Sequence, residues 1–494
     1  MKNLENLNLT HSFFQLGQEF YQAKAPDPVS APYLVDFNTP VAELIGLDPA
    51  EAQRAEFVEY FSGNRPLPGY EPLAMAYTGH QFGSYNPNIG DGRAVLLGEV
   101  ENGSGLTWDI CLKGCGPTAY SRGFDGRATL RSSIREYLGG EAMHGLGIPS
   151  TRSLAVLGIG ELIYRETPEP AAVLVRVSDS HVRFGSFQKF HFTNRPANVT
   201  QLADYVIRRH YPELENEAGK YQLFFRAVVD RTAKMIALWQ SVGFIHGVMN
   251  TDNMSITGCT FDYGPYGFMD RFNPAFTPNL TDAHGRYAYG RQPEIGLWNL
   301  SRLAEALSHL IEHESILEEL ERYQPVFNRY SGAMMGAKLG LEILDSEFNT
   351  LVGGLFKLLS DNQTDYTVFF RSLSDFPEGL AETVRRKFKK PGDLDDWLSL
   401  YRRLIEREDP DMKERKEKMD RANPRFILRN YLLQRATEKA LKESDFSEVE
   451  RLRILLEDPF SDRPEVFARY GIDADTYAAE TPDNWVEMQL SCSA

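Results

Sequence analysis

His246-Gly247-Val248-Met249-Asn250-Thr251-Asp252-Asn253 is followed, after a short spacer, by Phe261-Asp262-Tyr263-Gly264. The asparagine stands seven positions after the histidine. Asn and Asp side-chain oxygens are hard donors, suited to Mg²⁺ on the phosphates of a nucleotide. Asp252 adds a carboxylate beside Asn253. Val248, two positions after the histidine, cannot accept a proton.

The spacing matches the protein-kinase catalytic loop, H-R-D-x-x-x-x-N, and the D-F-G that follows it. Asp262-Tyr263-Gly264 stands where D-F-G would. The aspartate that accepts the substrate hydroxyl's proton in that pattern is replaced by Val248, and a carboxylate reappears four residues later at Asp252. Two readings stay open on these residues: a nucleotide-binding pseudokinase scaffold without activity, or a displaced carboxylate doing base chemistry. Phosphoryl transfer, the kinase reaction itself, is disfavoured by Val248.

Upstream, Trp108, Ile110 and Leu112 alternate with Asp109, Cys111 and Lys113, the period of a half-buried strand. Leu130, Ile134 and Leu138 predict a helix over 128–143 that carries Glu136 and ends at Gly145, Gly147 and Pro149. A strand lysine followed by a helix glutamate is the ion pair that positions phosphates in kinases. Gly90-Asp91-Gly92-Arg93 and Asp125-Gly126-Arg127 are short glycine turns, and each alone reads as a simple turn. Arg176 interrupts the apolar strand Ala171-Ala-Val-Leu-Val-Arg-Val177, and Arg183 follows it. A buried guanidinium needs an anionic partner. That partner is either a structural carboxylate or a phosphate held through two donors.

The wider pattern predicts an α+β chain, strand-rich over about 91–185 and mostly helical beyond 200, with helices over 221–241, 295–322, 333–360 and 396–456. Residues 1 to about 90, rich in Pro and aromatics, read as irregular. The chain has 494 residues, a formal charge of −16 and a pI of about 5.2. An acidic surface repels nucleic-acid phosphates and anionic lipid, so neither nucleic acid nor membrane is an expected partner. No apolar run reaches the ~20 residues of a membrane helix. Four cysteines make no disulfide framework, which points to a reducing, cytoplasmic setting. Cys111 and Cys115 flank Lys113 and read as packing residues on one strand face, and Cys259 as a small core residue.

These residues resemble the selenoprotein O family of kinase-like protein adenylyltransferases, over nearly the whole chain. The likeness runs through Gly79-His80-Gln81-Phe82-Gly83, Gly90 to Ala94, Leu112-Lys113-Gly114, Ser180 to Gly185, His246 to Asn253, Asp262 to Pro265, and Asn423-Pro424-Arg425. It implies a two-lobed, protein-kinase-like fold, with an N-terminal extension over 1–90 and an N-lobe with nucleotide-binding residues over 91–200. The catalytic and metal-binding part of the C-lobe would span 201–290, and a helical C-terminal region with a cysteine-containing tail 291–494. It implies ATP bound in a flipped orientation, AMP transferred to Ser, Thr or Tyr hydroxyls of proteins, and pyrophosphate released. Gly90, Gly92, Arg93, Lys113, Asp125, Gly126, Arg176, Arg183 and Asp262 would line the nucleotide site, with Lys113 paired to Glu136. Asp252 would accept the proton, and Asn253 and Asp262 would hold Mg²⁺ or Mn²⁺. The chain departs from the family at Tyr85, where relatives carry Trp. It also departs in the loop Phe276-Thr277-Pro278-Asn279-Leu280, which has no cysteine for Cys492 to pair with.

Overall fold

Strands of alternating pattern assemble into one antiparallel sheet in the computed structural model, which describes residues 1–376, 382–389 and 391–491. Its strands are β1 (Tyr21–Ala23), β2 (Tyr33–Phe37) and β3 (Leu73–Met75). After a separate hairpin of β4 (Gly79–Gln81) and β5 (Ser84–Asn86) come β6 (Ala94–Glu101), β7 (Thr107–Lys113), β8 (Ala128–Thr129), β9 (Arg152–Tyr164) and β10 (Pro168–Ser178). The order is β1-β3-β6-β7-β10-β9-β2, with β8 beside β10. Residues 1–90 are therefore not irregular throughout: they supply three strands of the sheet. Those strands run only three to five residues, too short to show an alternation.

Both faces of the sheet are covered. Val95, Ile110, Leu112, Val173 and Val175 pack under α1 (Thr39–Leu44) and α2 (Ala55–Phe61). Leu96, Cys111 and Leu174 pack against Ile134, Tyr137 and Leu138 of α3 (Leu130–Gly145). β7 is consequently buried on both sides rather than half-buried, with Asp109 3% and Cys111 2% exposed. Cys115 does not share the face of Cys111. Gly114 turns the chain at φ +97°, and Cys115 joins the core of the opposite face.

α3 is capped by Thr129, whose side chain accepts from Ser132 N, and its far side is covered by a helix from much later in the chain. That helical part comprises α4 (Phe184–Phe192), α5 (Pro196–His210) and α6 (Lys220–Ser241). Then come the small pair β11 (Phe244–Ile245) and β12 (Gly267–Phe268), α7 (Gln292–Leu307), α8 (His313–Glu321), α9 (Tyr323–Leu339), α10 (Ser346–Asn362), α11 (Tyr366–Ser372) and α12 (Glu382–Arg385). α13 (Pro391–Glu408), α14 (Met412–Ala422), α15 (Asn430–Glu443) and α16 (Ser447–Glu457) follow.

The three long helical runs expected beyond 290 are each broken. Gly340 closes α9 at φ +62°, and Asp345 opens α10 by accepting from Glu347 N and Phe348 N. Pro410 and Pro424 cannot continue a helix, and they separate α13, α14 and α15. Ile245, Leu339, Leu351, Phe369 and Tyr401 form a core of their own beneath these helices. α16 returns to α3, where Arg453 Nε (2.8 Å) and Tyr137 Oη (2.9 Å) both donate to buried Asp36. Strand-rich first and helical after, the chain is α+β. No helix among the described residues is long and apolar enough to cross a membrane.

Candidate active site

Antiparallel register places two cations on one face of the sheet. Cys111 pairs with Arg176 and Lys113 with Leu174. Opposed residues point the same way and the side-chain period is two, so Lys113 and Arg176 both face α3. Glu136, 1% exposed on that helix, receives both: Lys113 Nζ on Oε2, and Arg176 Nε on Oε1 at 2.8 Å. Arg176 Nη2 also donates to Asp262 Oδ1 at 2.8 Å. Arg183, at the start of α4, donates through Nη1 to Asp262 Oδ2 at 2.6 Å and to the Asp252 carbonyl at 2.8 Å. Its guanidinium lies between the rings of Tyr77 and Phe261, 4.1 and 4.6 Å from their centroids, and its Nε is buried without a partner.

These contacts set the protonation of the site. Burial would raise the Asp262 carboxyl, but Arg183, Arg176 and Lys113 together hold it well below the usual carboxylate range. Burial, with Arg93 and Arg176 adding to it, outweighs Glu136 and lowers Lys113. At its centre Lys113, Arg176 and Arg183 meet two carboxylates, Glu136 and Asp262, with Asp91 3.8 Å from Arg183. Arg93 is solvent-exposed and lies within electrostatic reach of Glu136, Asp262 and Arg176.

The quoted stretch forms a tightly braced loop. Val248 N donates to His246 Nδ1 (3.3 Å), so His246 Nε2 carries the proton it gives to the Phe261 carbonyl (3.0 Å). The imidazole stacks on Trp239 and lowers its pKa by burial; it is a neutral brace between the loop and Asp262. Gly247 has φ +77°, and a Cβ there would stand 2.4 Å from the Pro265 carbonyl. Asn279 Nδ2 donates to the Gly247 carbonyl at 2.9 Å.

Asp252 lies under the β4–β5 hairpin. Gln81 Nε2 donates to its Oδ2 at 3.2 Å, while Oδ1 is buried without a partner. A Cβ at Gly79 would come within 2.7 Å of that oxygen. Burial, opposed only in part by Arg183 and Gln81, pushes the Asp252 carboxyl up to about 6. Asn253 donates Nδ2 to the Val248 carbonyl at 2.9 Å, leaving its Oδ1 as the open end.

Asn253 and Asp262 fit a hard cation. Mg²⁺ takes one or two protein oxygens and completes its shell with water and phosphate. Each Asp262 oxygen accepts one guanidinium bond and keeps a second lone pair. Among the described residues no group of three or more His, Cys, Asp or Glu could hold a metal alone.

The remaining expected residues lie around this cluster rather than in it. Gly90 and Gly92 turn against the 117–121 loop, where a Cβ would stand 2.4 Å from the Tyr120 ring and 2.9 Å from its carbonyl. Gly126 (φ +66°) packs on Gly116. Asp125 is bonded to Arg165 at 2.8 and 2.9 Å and is not drawn to Asp262. Tyr77, Asp91 (3.8 Å from Arg183) and Gln81 join these residues without having been expected as site residues; Gln81 and Asp91 had a signal, in Gly79-His80-Gln81-Phe82-Gly83 and Gly90-Asp91-Gly92-Arg93, and Tyr77 had none. Cys492 lies outside the described residues. The 276–280 loop pairs with Leu490: Leu280 N donates to Leu490 O (2.9 Å) and Leu490 N to Pro278 O (2.7 Å). Cys259 is buried, and burial raises its thiol well above the ordinary value.

Comparison with known proteins places this arrangement. The family "Protein adenylyltransferase SelO" matches residues 3–456. "Protein nucleotidyltransferase YdiU" of Myxococcus xanthus and that of Thioalkalivibrio sulfidiphilus are each 48% identical, over all of this chain and all of their own. The protein of the same name from Klebsiella pneumoniae strain 342 is 46% identical over 96% of this chain and 97% of its own. Matches of this length and identity leave one assignment: the chain belongs to the protein adenylyltransferase SelO family and is a nucleotidyltransferase.

Proposed function

We propose that the chain transfers AMP from ATP to a Ser, Thr or Tyr hydroxyl of other proteins, on a kinase-like two-lobed framework. In this reading residues 91–200 form the nucleotide-binding lobe, 201–290 carry the catalytic and metal-binding residues, and 1–90 and 291–494 are extensions. The observation that carries it is Asp252: a buried carboxylate raised to about 6, with one oxygen unpartnered, next to Asn253 and joined through Arg183 to Asp262. A general base works best with a pKa near the operating pH.

The chemistry follows from the charges. Arg176, Arg183 and Lys113 line the deepest part of the cleft and exposed Arg93 its edge, where they would grip the terminal phosphates of a flipped ATP. The α-phosphate would then lie outward, towards Asp252. The hydroxyl oxygen bonds to the α-phosphorus, the bond from that phosphorus to the bridging oxygen breaks, and pyrophosphate leaves. The hydroxyl proton passes to Asp252. Asn253 and Asp262 would hold Mg²⁺ or Mn²⁺, which neutralises charge on the phosphate oxygens. Glu136 and Asp262 already fix Lys113, Arg176 and Arg183, and donors that need no reorganisation stabilise developing charge most effectively.

The test is to incubate the protein and acceptor proteins with ATP labelled on the α- or on the γ-phosphate. AMP transfer makes only the α-label protein-bound. Protein-bound γ-label would instead mean phosphoryl transfer, and neither label a nucleotide-binding scaffold.

A further inference from the structure

Beside Asp252 the surface holds an arginine without an anion. Arg286 lies 4.7 Å from the Trp298 ring centroid and 5.7 Å from that of Tyr287. Its Nε and Nη2 are buried and have no hydrogen-bond partner. Its neighbours in sequence are neutralised, Arg291 by Glu294 and Arg302 by Glu305; Asp282 accepts from the Arg286 backbone N–H at 2.8 Å, but among the described residues no carboxylate pairs with the Arg286 guanidinium. Leaving two donors of a cation unmatched costs free energy that aromatic faces offset only in part. The side chain is half-buried, so an anion arriving from solvent can reach it.

The surroundings point the same way. The Arg286 Cζ would be 3.3 Å from a Cβ at Gly83, in the turn of the hairpin whose Gln81 holds Asp252. Gln81 and Ser84 are the paired residues that close this turn, so Gly83 sits in the same hairpin as the residue that holds Asp252. In the same turn Phe82 adopts φ +50°, a conformation that disfavours a bulky residue, and the residue is 38% exposed although its ring lies 5.2 Å from that of Tyr287. The turn is held by the catalytic loop: Phe82 N donates to Tyr287 Oη (2.9 Å), and Tyr287 Oη to Asn250 Oδ1 (2.6 Å). An exposed aromatic in a strained turn and an unpaired guanidinium thus flank the approach to the proton acceptor. Strain of this kind is stored where surroundings fix it for use.

We propose that Phe82 and Arg286 form the seat of the protein acceptor, and that Arg286 selects acceptor segments carrying a carboxylate close to the modified hydroxyl. The inference rests on the function proposed above. It runs against the bulk charge: at −16 the protein as a whole favours basic peptides, so a preference for acidic ones must come from a local site.

Fluorescent peptides with one central Ser in an Asp/Glu-rich, a Lys/Arg-rich or a Gln/Gly setting separate the two. By anisotropy, the wild type should bind the acidic peptide about tenfold more tightly than the basic one. Arg286→Glu should reverse the order, and Arg286→Lys should keep it. Where Arg286→Glu fails to fold, Arg286→Gln should abolish the preference. An unchanged order in Arg286→Glu or Arg286→Gln, or no acidic preference in the wild type, overturns the proposal. The same peptides, and versions with a central Thr or Tyr, are then offered with α-labelled ATP. Acidic peptides that bind through Arg286 but take no label with a central Ser, Thr or Tyr leave the seat standing and break the AMP-transfer reading instead.

Discussion

The cleft and the late helices contain the same charged residue types in opposite settings. In the cleft, Lys113, Glu136, Arg176, Asp262 and Arg183 form one continuous buried chain of charge. On α10 and α15, Lys357–Asp361 and Lys442–Glu438 are i,i+4 pairs on outer faces. An exposed pair in water is worth little. A buried one leaves an uncompensated charge when either partner is removed, and that costs about 3–5 kcal/mol. Burial, not the number of ion pairs, therefore decides where charge matters here.

The largest expected effect is at Asp252. Asp252→Asn should lower AMP transfer by ~10²–10⁴-fold with ATP affinity nearly kept, because Asp262, Asn253 and the arginines remain. Wild-type transfer should fall as pH drops through about 6, because the base acts ionised. Stability should move the other way. The folded-state carboxyl titrates above its unfolded value, so its cost is absent in acid, grows as pH rises above 3.8 and is complete once pH passes about 6. Asp252→Asn should relieve about 3 kcal/mol near pH 8 and nothing near pH 3. A variant that transfers AMP normally would make the cleft one more structural ion cluster.

Next is Asp262→Ala, which should lose at least ~10²-fold in transfer and about 3–5 kcal/mol of stability, since Arg176 and Arg183 lose their shared counter-ion. An unchanged denaturation midpoint would erase the contrast with the surface pairs. Arg176→Met and Arg183→Met should weaken ATP roughly 10–100-fold, the worth of a charged hydrogen bond, and AMP much less; titrations with both nucleotides check this. Equal losses would leave the arginines as counter-ions of Glu136 and Asp262 alone. The smallest effect belongs to Lys357→Ala, which should shift neither the denaturation midpoint nor transfer measurably.

The site was legible where its residues are contiguous. His246 to Asn253 and Asp262 declare hard donors at a fixed spacing, and Arg183 links the two segments through the Asp252 carbonyl and Asp262. Lys113, Glu136 and Arg176 were legible as types, but their meeting depends on strand register, which no single segment specifies. Tyr77 had no pattern of its own, and Asp91 stood in a glycine turn that did not show its partner: both reach Arg183 only through tertiary packing. Cys115 was misplaced because Gly114 turns the strand just past Lys113. The helix breaks at Pro410 and Pro424 stood in the sequence; charge periodicity on either side masked them.

The Asp36–Arg453 contact has a consequence in time. Its two ends are 417 residues apart, and a ribosome adding ~5–20 residues per second needs roughly 20–80 seconds to cover that stretch. Until then α3, which carries Glu136, lacks the helix that covers it, and apolar Tyr137 and Leu138 have no finished neighbour on that side. The growing chain must pass that interval with its nucleotide-side sheet made and its cover still unborn, a window in which chaperones and aggregation compete for it.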